Sequence, residues 1–316
     1  MSPLQEGDFL DHYRIGSQAA RGGMATVYRA TDVRTGRHVA IKIPHPEAES
    51  DVIFFDRFHR EAEIGRELDH PGVVKVFPKE HQSRIYMVME WCDGRLLREI
   101  LSSESSIAPD RAVRLALAIC DALEYIHDNG IVHRDLKPEN IMVDAQDQIK
   151  LMDFGIAAKE GARRLTFGKL SNTLGTVDYI APEQVKGKRG DARTDVYALG
   201  VMLYEMVTGE TPFHGANPFA VMNARLVSDA GPVRELKPEL PAELEATIAR
   251  AMERSPDRRY LTARQLAFDL LHPSQRRVPD LPREKSGLSK KLLLYSSLAA
   301  IPCSILGLLL YVAGHQ

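Results

Sequence analysis

The sequence predicts an α+β chain of two lobes with a cleft between them, a small β-rich lobe and a larger, mainly helical one, plus one C-terminal transmembrane helix. Three observations predict this. Runs with strand character cluster before residue 91, helix-period runs dominate after residue 94, and an uncharged apolar stretch fills 292–313.

Residues 26–30, 38–43 and 85–90 are rich in Val, Ile, Tyr and Met and read as strands. Between the last two, 54–68 has a helical pattern and carries Glu61. In the second lobe, 110–129 repeats apolar residues at Val113, Ala116, Cys120 and Leu123, a helical period closed by Gly130. Residues 242–254 form another such helix. The domain plan is a lead-in at 1–12, a globular domain at 13–271 divided into 13–91 and 92–271, a basic linker at 272–291, a membrane helix at 292–313 and a tail at 314–316.

The 22 residues from 292 to 313 carry no charge. A helix of that length spans roughly 33 Å, enough to cross the hydrocarbon core of a bilayer. The stretch is apolar all round, unlike a one-sided core helix, and Tyr295 and Tyr311 lie near its ends as interfacial aromatics do. Pro302 is tolerable within it. Arg276, Arg277, Arg283, Lys285, Lys290 and Lys291 all precede the stretch, so the positive-inside rule puts the globular domain in the cytoplasm of a single-pass inner or plasma membrane protein.

Composition narrows the field. A net charge of −2 over 316 residues gives no reason to expect nucleic acid as a partner. Three cysteines without a repeated spacing exclude a disulfide framework and fit a reducing compartment. The eleven histidines show no zinc-ligand spacing. No basic region followed by an apolar run opens the chain, so no secretory signal is expected.

Four motifs carry chemistry. His133-Arg134-Asp135-Leu136-Lys137-Pro138-Glu139-Asn140 offers a carboxylate for a hydroxyl proton, a nearby ammonium, and an amide oxygen for a hard cation. Asp153-Phe154-Gly155 follows the apolar run Ile149, Leu151, Met152, 18 residues after Asp135. Val39-Ala40-Ile41-Lys42 lies on a strand. Ala20-Arg21-Gly22-Gly23-Met24-Ala25-Thr26-Val27 precedes it. In this order they resemble the eukaryotic-type (Hanks-type) protein kinase family over about residues 13–271, and Gly23-Met24-Ala25 followed by Val27-Tyr28 is similar to its bacterial branch.

The resemblance implies the bilobal kinase fold and transfer of the ATP γ-phosphate, with Asp135 as catalytic base and Lys137 neutralising phosphate charge. Asn140 and Asp153 would hold Mg²⁺, or Mn²⁺ in its place. Lys42 would contact the ATP phosphates and pair with Glu61. Ala20, Gly22, Gly23, Val27 and Ala40 would line the nucleotide site, and Met89, Glu90 and Cys92 its adenine edge. Ala20 and Ala25 stand where the family has glycine, which leaves an ATP-binding scaffold without transfer as the alternative.

The segment Gly175 to Glu183 resembles the substrate-docking segment. Together with Lys137 it implies protein Ser/Thr substrates rather than tyrosine or small molecules. Thr176 would bond Asp135 and Lys137. Thr173, then Ser171 and Thr166, are candidate autophosphorylation sites, with Arg134 as phosphate pocket and transient pairing of two copies as the route. Glu183 with Arg259, and Asp195, are assigned structural roles. Gly65, one turn after Glu61, suggests a loosened helix and a conditional ion pair.

Overall fold

A computed structural model describes residues 4–49, 51–78, 82–154, 158–159 and 177–273. The first lobe is an antiparallel sheet of five strands in sequential order: β1 (Phe9–Leu10), β2 (Tyr13–Arg21), β3 (Ala25–Asp32), β4 (His38–Pro44) and β5 (Met87–Glu90). Strand alternation divides its residues between two faces. One face buries Tyr13, Ile15, Tyr28, Ala30, Val39, Ile41, Ile43, Tyr86 and Val88 as a core of its own. Leu10 of β1 belongs to that core, so the sheet starts ahead of residue 13.

The other face is set by register. Ala20 pairs with Val27, Val27 with Lys42, and Lys42 with Met87, while Ala40 pairs with Met89. Directly paired residues share a face, so Ala20, Val27, Ala40, Lys42 and Met89 line one surface. After the short helix α1 (Pro46–Glu49), α2 (Val52–Glu67) packs on this side through Phe58 and Ala62 against Val76 and Met87. Its far end reaches the second lobe, since Ile64 and Leu68 join the large helical core.

Gly65 has a packing reason to be glycine. A Cβ there would overlap Val76 Cγ2 and lie 3.0 Å from Val76 Cβ. Both chains meet at this point, where Val76 N donates to Gly65 O (3.4 Å). The residue is therefore a close-approach contact fixing α2 to the sheet, a cause the helix propensity of glycine does not reveal.

The second lobe continues with β6 (Arg95–Leu96), α3 (Leu97–Ser103), α4 (Pro109–Asp128), β7 (Ile131–Val132), β8 (Ile141–Val143), β9 (Ile149–Leu151) and β10 (Ala158–Lys159). Helices α5 (Pro182–Val185), α6 (Ala192–Thr208), α7 (Pro218–Val227), α8 (Val233–Leu236), α9 (Ala242–Ala251) and α10 (Ala263–Leu271) complete it. Helix α4 buries Leu115, Ile119, Leu123 and Ile126 and ends before Gly130, whose φ of 71° is left-handed. Helix α6 has every residue from Thr194 to Thr208 buried, so it is the axis of the lobe.

Three elements differ from the sequence reading. Helix α9 stops at Ala251 rather than 254, with Met252 as its C-cap. Strand β5 begins at Met87, not 85. Helix α6 escapes the period search because a helix buried all round has no stripe to detect. Among the described residues no helix is long and apolar enough to cross a membrane. The expected span 292–313 and most of the linker lie outside the described residues.

Gly65→Ala tests the packing of α2. A helix-interior Gly→Ala change normally stabilises by about 1 kcal/mol, but crowding a packed core costs about 1–3 kcal/mol. The expected result in urea unfolding is a net loss of about 1 kcal/mol in the native background. In a Val76→Ala background the same change should turn neutral or stabilising. A gain in the native background would contradict this contact.

Candidate active site

The site assembles where a hairpin of the second lobe meets the sheet of the first. Strand β8 starts immediately after Asn140 and β9 ends two residues before Asp153. Pairing of Ile141 with Leu151 sets these two oxygen donors side by side, and Met152 N donates to Asn140 O (2.9 Å). The hairpin turn is held by Asp144, whose Oδ1 accepts from Gln146 N and Gln148 N, both at 2.8 Å. Val74 N donates to Leu151 O (2.9 Å) and Leu151 N to Gly72 O (2.8 Å), tying β9 to the segment that follows α2.

Loop 133–140 is shaped from below by Asp195 of α6. The buried Asp195 carboxylate accepts from His133 N (2.9 Å), Arg134 N (2.8 Å) and His127 Nε2 (2.8 Å). Burial alone would raise its pKa, but the bonds from His127 and the loop amides outweigh it and hold the carboxyl below its ordinary value. Arg134 adopts a left-handed φ of 65°, unusual for a side chain of its size. The Arg134 carbonyl accepts from Gln184 Nε2 (2.9 Å), so both sides of that strained peptide are fixed.

Asp135 follows directly. Lys137 Nζ donates to Asp135 Oδ2 at 2.8 Å, and Asn140 Nδ2 donates to Asp135 O at 2.8 Å. Burial lifts the Asp135 carboxyl above the usual carboxylate range, with Lys137 opposing. His133 is fully buried, bonds Met152 O through Nε2 (3.0 Å), and lies with its ring centroid 5.4 Å from that of Phe154. Phe154 is itself fully buried in the core that contains Ile64 of α2 and Leu68 just after it.

Across the cleft, Lys42 Nζ donates to both Glu61 oxygens (2.7 and 2.9 Å) and lies 3.7 Å from Asp153 Oδ1. The pair that Gly65 was expected to make conditional is formed. Burial disfavours the Lys42 ammonium, but Asp153 and Glu61 outweigh that and hold its pKa above the ordinary value. Asp153 keeps 48% of its side chain exposed and has a left-handed φ of 63°.

Gly22 and Gly23 close the β2–β3 turn, where Gly22 N donates to Ala25 O (2.9 Å). A Cβ on Gly23 would touch nothing, and one on Gly22 only Ala25 O at 3.6 Å. The protein's own packing therefore does not demand these glycines, whereas a ligand approaching the backbone would. Met89 and Cys92 are half-buried against the helical core. Glu90 N donates to Lys75 O, and Glu90 Oε1 accepts from Lys75 N and Lys150 Nζ, both at 2.7 Å. The Glu90 amide hydrogen is thus already engaged, and its carbonyl accepts a long bond from Cys92 Sγ (4.0 Å). Burial pushes the Cys92 thiol up to about 11, away from the reactive thiolate.

Glu183 and Arg259 form a bidentate ion pair, at 2.8 and 2.7 Å, with Thr194 Oγ1 also donating to Glu183 (2.9 Å). Thr166, Ser171, Thr173 and Thr176 lie outside the described residues. Sequence reasoning overlooked two further groups. Arg98 of α3 donates to Glu139 Oε1 (3.0 Å) and Glu205 Oε1 (2.8 Å), and Tyr179 OH bonds both Arg98 and Glu205. Arg225 of α7 donates to the carbonyls of Val177 and Asp178. The signal was a lone charge inside an apolar helical run: Glu205 in VMLYEMVT and Arg225 in FAVMNARLV.

A five-stranded lobe over a helical lobe, with Lys42, Asp135, Asn140 and Asp153 converging in the cleft, is the two-lobed kinase architecture. The model of the protein kinase domain matches residues 13–271, and the chain belongs to that family. It is 38% identical over 278 residues to the serine/threonine-protein kinase PknB of Mycolicibacterium smegmatis, covering 86% of this chain and 44% of that protein. A probable serine/threonine-protein kinase of Streptomyces coelicolor is 40% identical over 263 residues, covering 82% of this chain and 39% of its own length. PknB of Mycobacterium tuberculosis is 37% identical over 292 residues, covering 91% and 47%. The chain therefore spans about half the length of the curated relatives it matches, or less.

The buried Glu61 gives a pH signature. Burial lifts its carboxyl from 4.5 to about 7, with Asp153 adding and Lys42 opposing. Between those values the folded chain holds a proton that the unfolded chain has released, so this contribution to stability declines as pH rises through that window. Unfolding free energy of the native chain relative to Glu61→Gln should fall from pH 4.5 to 7 and level off above. A rise across that interval would contradict the assignment.

Proposed function

We propose that this chain is a serine/threonine protein kinase that moves the γ-phosphoryl group of ATP to protein hydroxyls. The observation that carries the reading is the double constellation in the cleft: Lys42 with Glu61 and Asp153 on one side, Asp135 with Lys137 and Asn140 on the other. The serine/threonine-kinase names of its relatives support the acceptor class.

The donor set fits Mg²⁺, and Mn²⁺ equally. Asn140, just before β8, and Asp153, just after β9, supply hard oxygens at one end of the paired strands, and two protein ligands suffice for an ion completed by phosphate and water. Bound there, the ion offsets charge on the triphosphate. Asp135 orients the Ser or Thr hydroxyl and takes its proton as the oxygen attacks the γ-phosphorus and the bond to the ADP oxygen breaks. Its hydrogen bond from Lys137 fixes the carboxylate's direction. Lys137 and Lys42 stabilise charge on the transferred group and on the nucleotide. Most of the acceleration then comes from positioning.

The reading extends to three further parts. Thr173, Ser171 or Thr166 is autophosphorylated, and Arg134 receives the phosphate. The 292–313 segment anchors the chain in the cytoplasmic membrane with the kinase domain in the cytoplasm. Tethering two copies by short linkers raises their effective concentration and favours phosphorylation in trans.

One experiment covers these parts. The full chain, expressed in bacterial membranes, is incubated with Mg-ATP and casein beside Asp135→Asn. The expected result is Ser/Thr phosphate on casein, at least about 100-fold slower in the variant, with ATP affinity retained. Mass spectrometry should find loop phosphate on the native chain, which should stay in the membrane fraction after a high-salt wash. ATP binding with no transfer by the native chain would favour the scaffold reading instead, and release by salt would remove the anchor.

A further inference from the structure

Arg225 is an anomaly in the charge distribution of the second lobe. Its side chain is fully buried. Among the described residues it has no carboxylate at ion-pair distance, unlike Arg259, which sits on Glu183. It donates instead to two backbone carbonyls, those of Val177 and Asp178. Its guanidinium lies 5.3 Å from the centroid of the Phe213 ring. Its Nε is buried with no partner among the described residues.

A buried cation with no carboxylate at ion-pair distance among the described residues is a poor way to stabilise a fold, because an apolar side chain of similar volume often does as well or better. The surroundings could take one. Val177, Phe213 and Val221 already form an apolar cluster beside it. What an apolar residue could not do is hold two successive carbonyls. Those carbonyls belong to the turn Val177–Tyr179, which lies in the described part of the segment assigned to acceptor docking. The same stretch leads through Gln184 to the carbonyl of Arg134, next to Asp135.

We infer that Arg225 is a positioning residue for the acceptor protein: from α7 it pins the backbone at 177–178 so that the docking segment keeps one conformation relative to Asp135. This rests on the kinase reading above. It acts on the acceptor side and leaves nucleotide binding alone, since no described contact of Arg225 reaches Lys42, Asn140 or Asp153. Lysine could supply part of the role, offering charge and donors but no fork to bridge two carbonyls.

The test uses the full chain with Arg225→Met and Arg225→Lys. Three quantities are measured: KM for casein, KM for ATP, and hydrogen exchange over peptides spanning 177–185. Losing charge-assisted bonds worth about 1.5–3 kcal/mol should raise the casein KM roughly tenfold or more in Arg225→Met. The KM for ATP should stay unchanged, exchange over 177–185 should quicken, and Arg225→Lys should fall between. An unchanged casein KM, or parallel weakening of ATP and casein, overturns the inference. If Arg225→Met does not fold, the same criteria apply to Arg225→Lys. The exchange measurement needs no turnover: unaltered protection over 177–185 overturns the inference whether or not the chain transfers phosphate. Absence of transfer by the native chain counts against the kinase reading alone.

Discussion

The Asp195 carboxylate is the point on which the rest of the site depends. It sits fully buried on α6, the helix that forms the axis of the second lobe, and it spends its lone pairs on His127 and on two consecutive loop amides. Those amides belong to His133 and Arg134. With both fixed, Arg134 can be held at a positive φ, a conformation that costs on the order of 1–3 kcal/mol and persists only where surroundings impose it. Asp135 emerges from that turn already aimed. Because the Asp195 carboxyl is held below its ordinary 3.8, its contribution to stability is present above that pH and is lost as acid titrates it below.

The second constraint joins the lobes. Lys42 lies between two carboxylates, one from α2 and one from the end of the β8–β9 hairpin. Burial raises the Glu61 carboxyl, with Lys42 opposing and Asp153 adding to the rise, while Asp153 stays about half exposed. Apolar contacts follow the same route: Phe154, adjacent to Asp153, is buried in one core with Ile64 of the helix that bears Glu61 and with Leu68 just beyond its end. A shift of α2 would therefore disturb the ion pair and the Phe154 packing together.

The chemistry of the site was legible in the sequence because it is carried by short blocks with fixed spacing. The loop at 133–140, the carboxylate at 153 and the strand lysine at 42 need no knowledge of tertiary structure to be recognised. Strand and helix patterns around them were legible for the same reason that they are amphipathic. Long-range meaning was harder to see. Gly65 reads locally as a weak point of a helix, yet it is where α2 touches Val76. Helix α6 gives no periodic signal because it is buried on every side. Arg98, Glu205, Tyr179 and Arg225 are far apart in the chain and acquire roles only when α3, α6 and α7 converge on the turn at 177–179.

The claim that the buried carboxylate of α6 sets the catalytic geometry is tested most directly by Asp195→Asn. The amide keeps the volume but loses the charge and one acceptor. For variant protein shown to be folded by circular dichroism, the quantity to measure is single-turnover phosphate transfer from Mg-ATP to casein, with ATP affinity determined alongside. The account predicts transfer slowed by about 100-fold, as misplacement of a reacting group by about 1 Å produces, with ATP affinity near that of the native chain. Transfer at the native rate by the folded variant would contradict it.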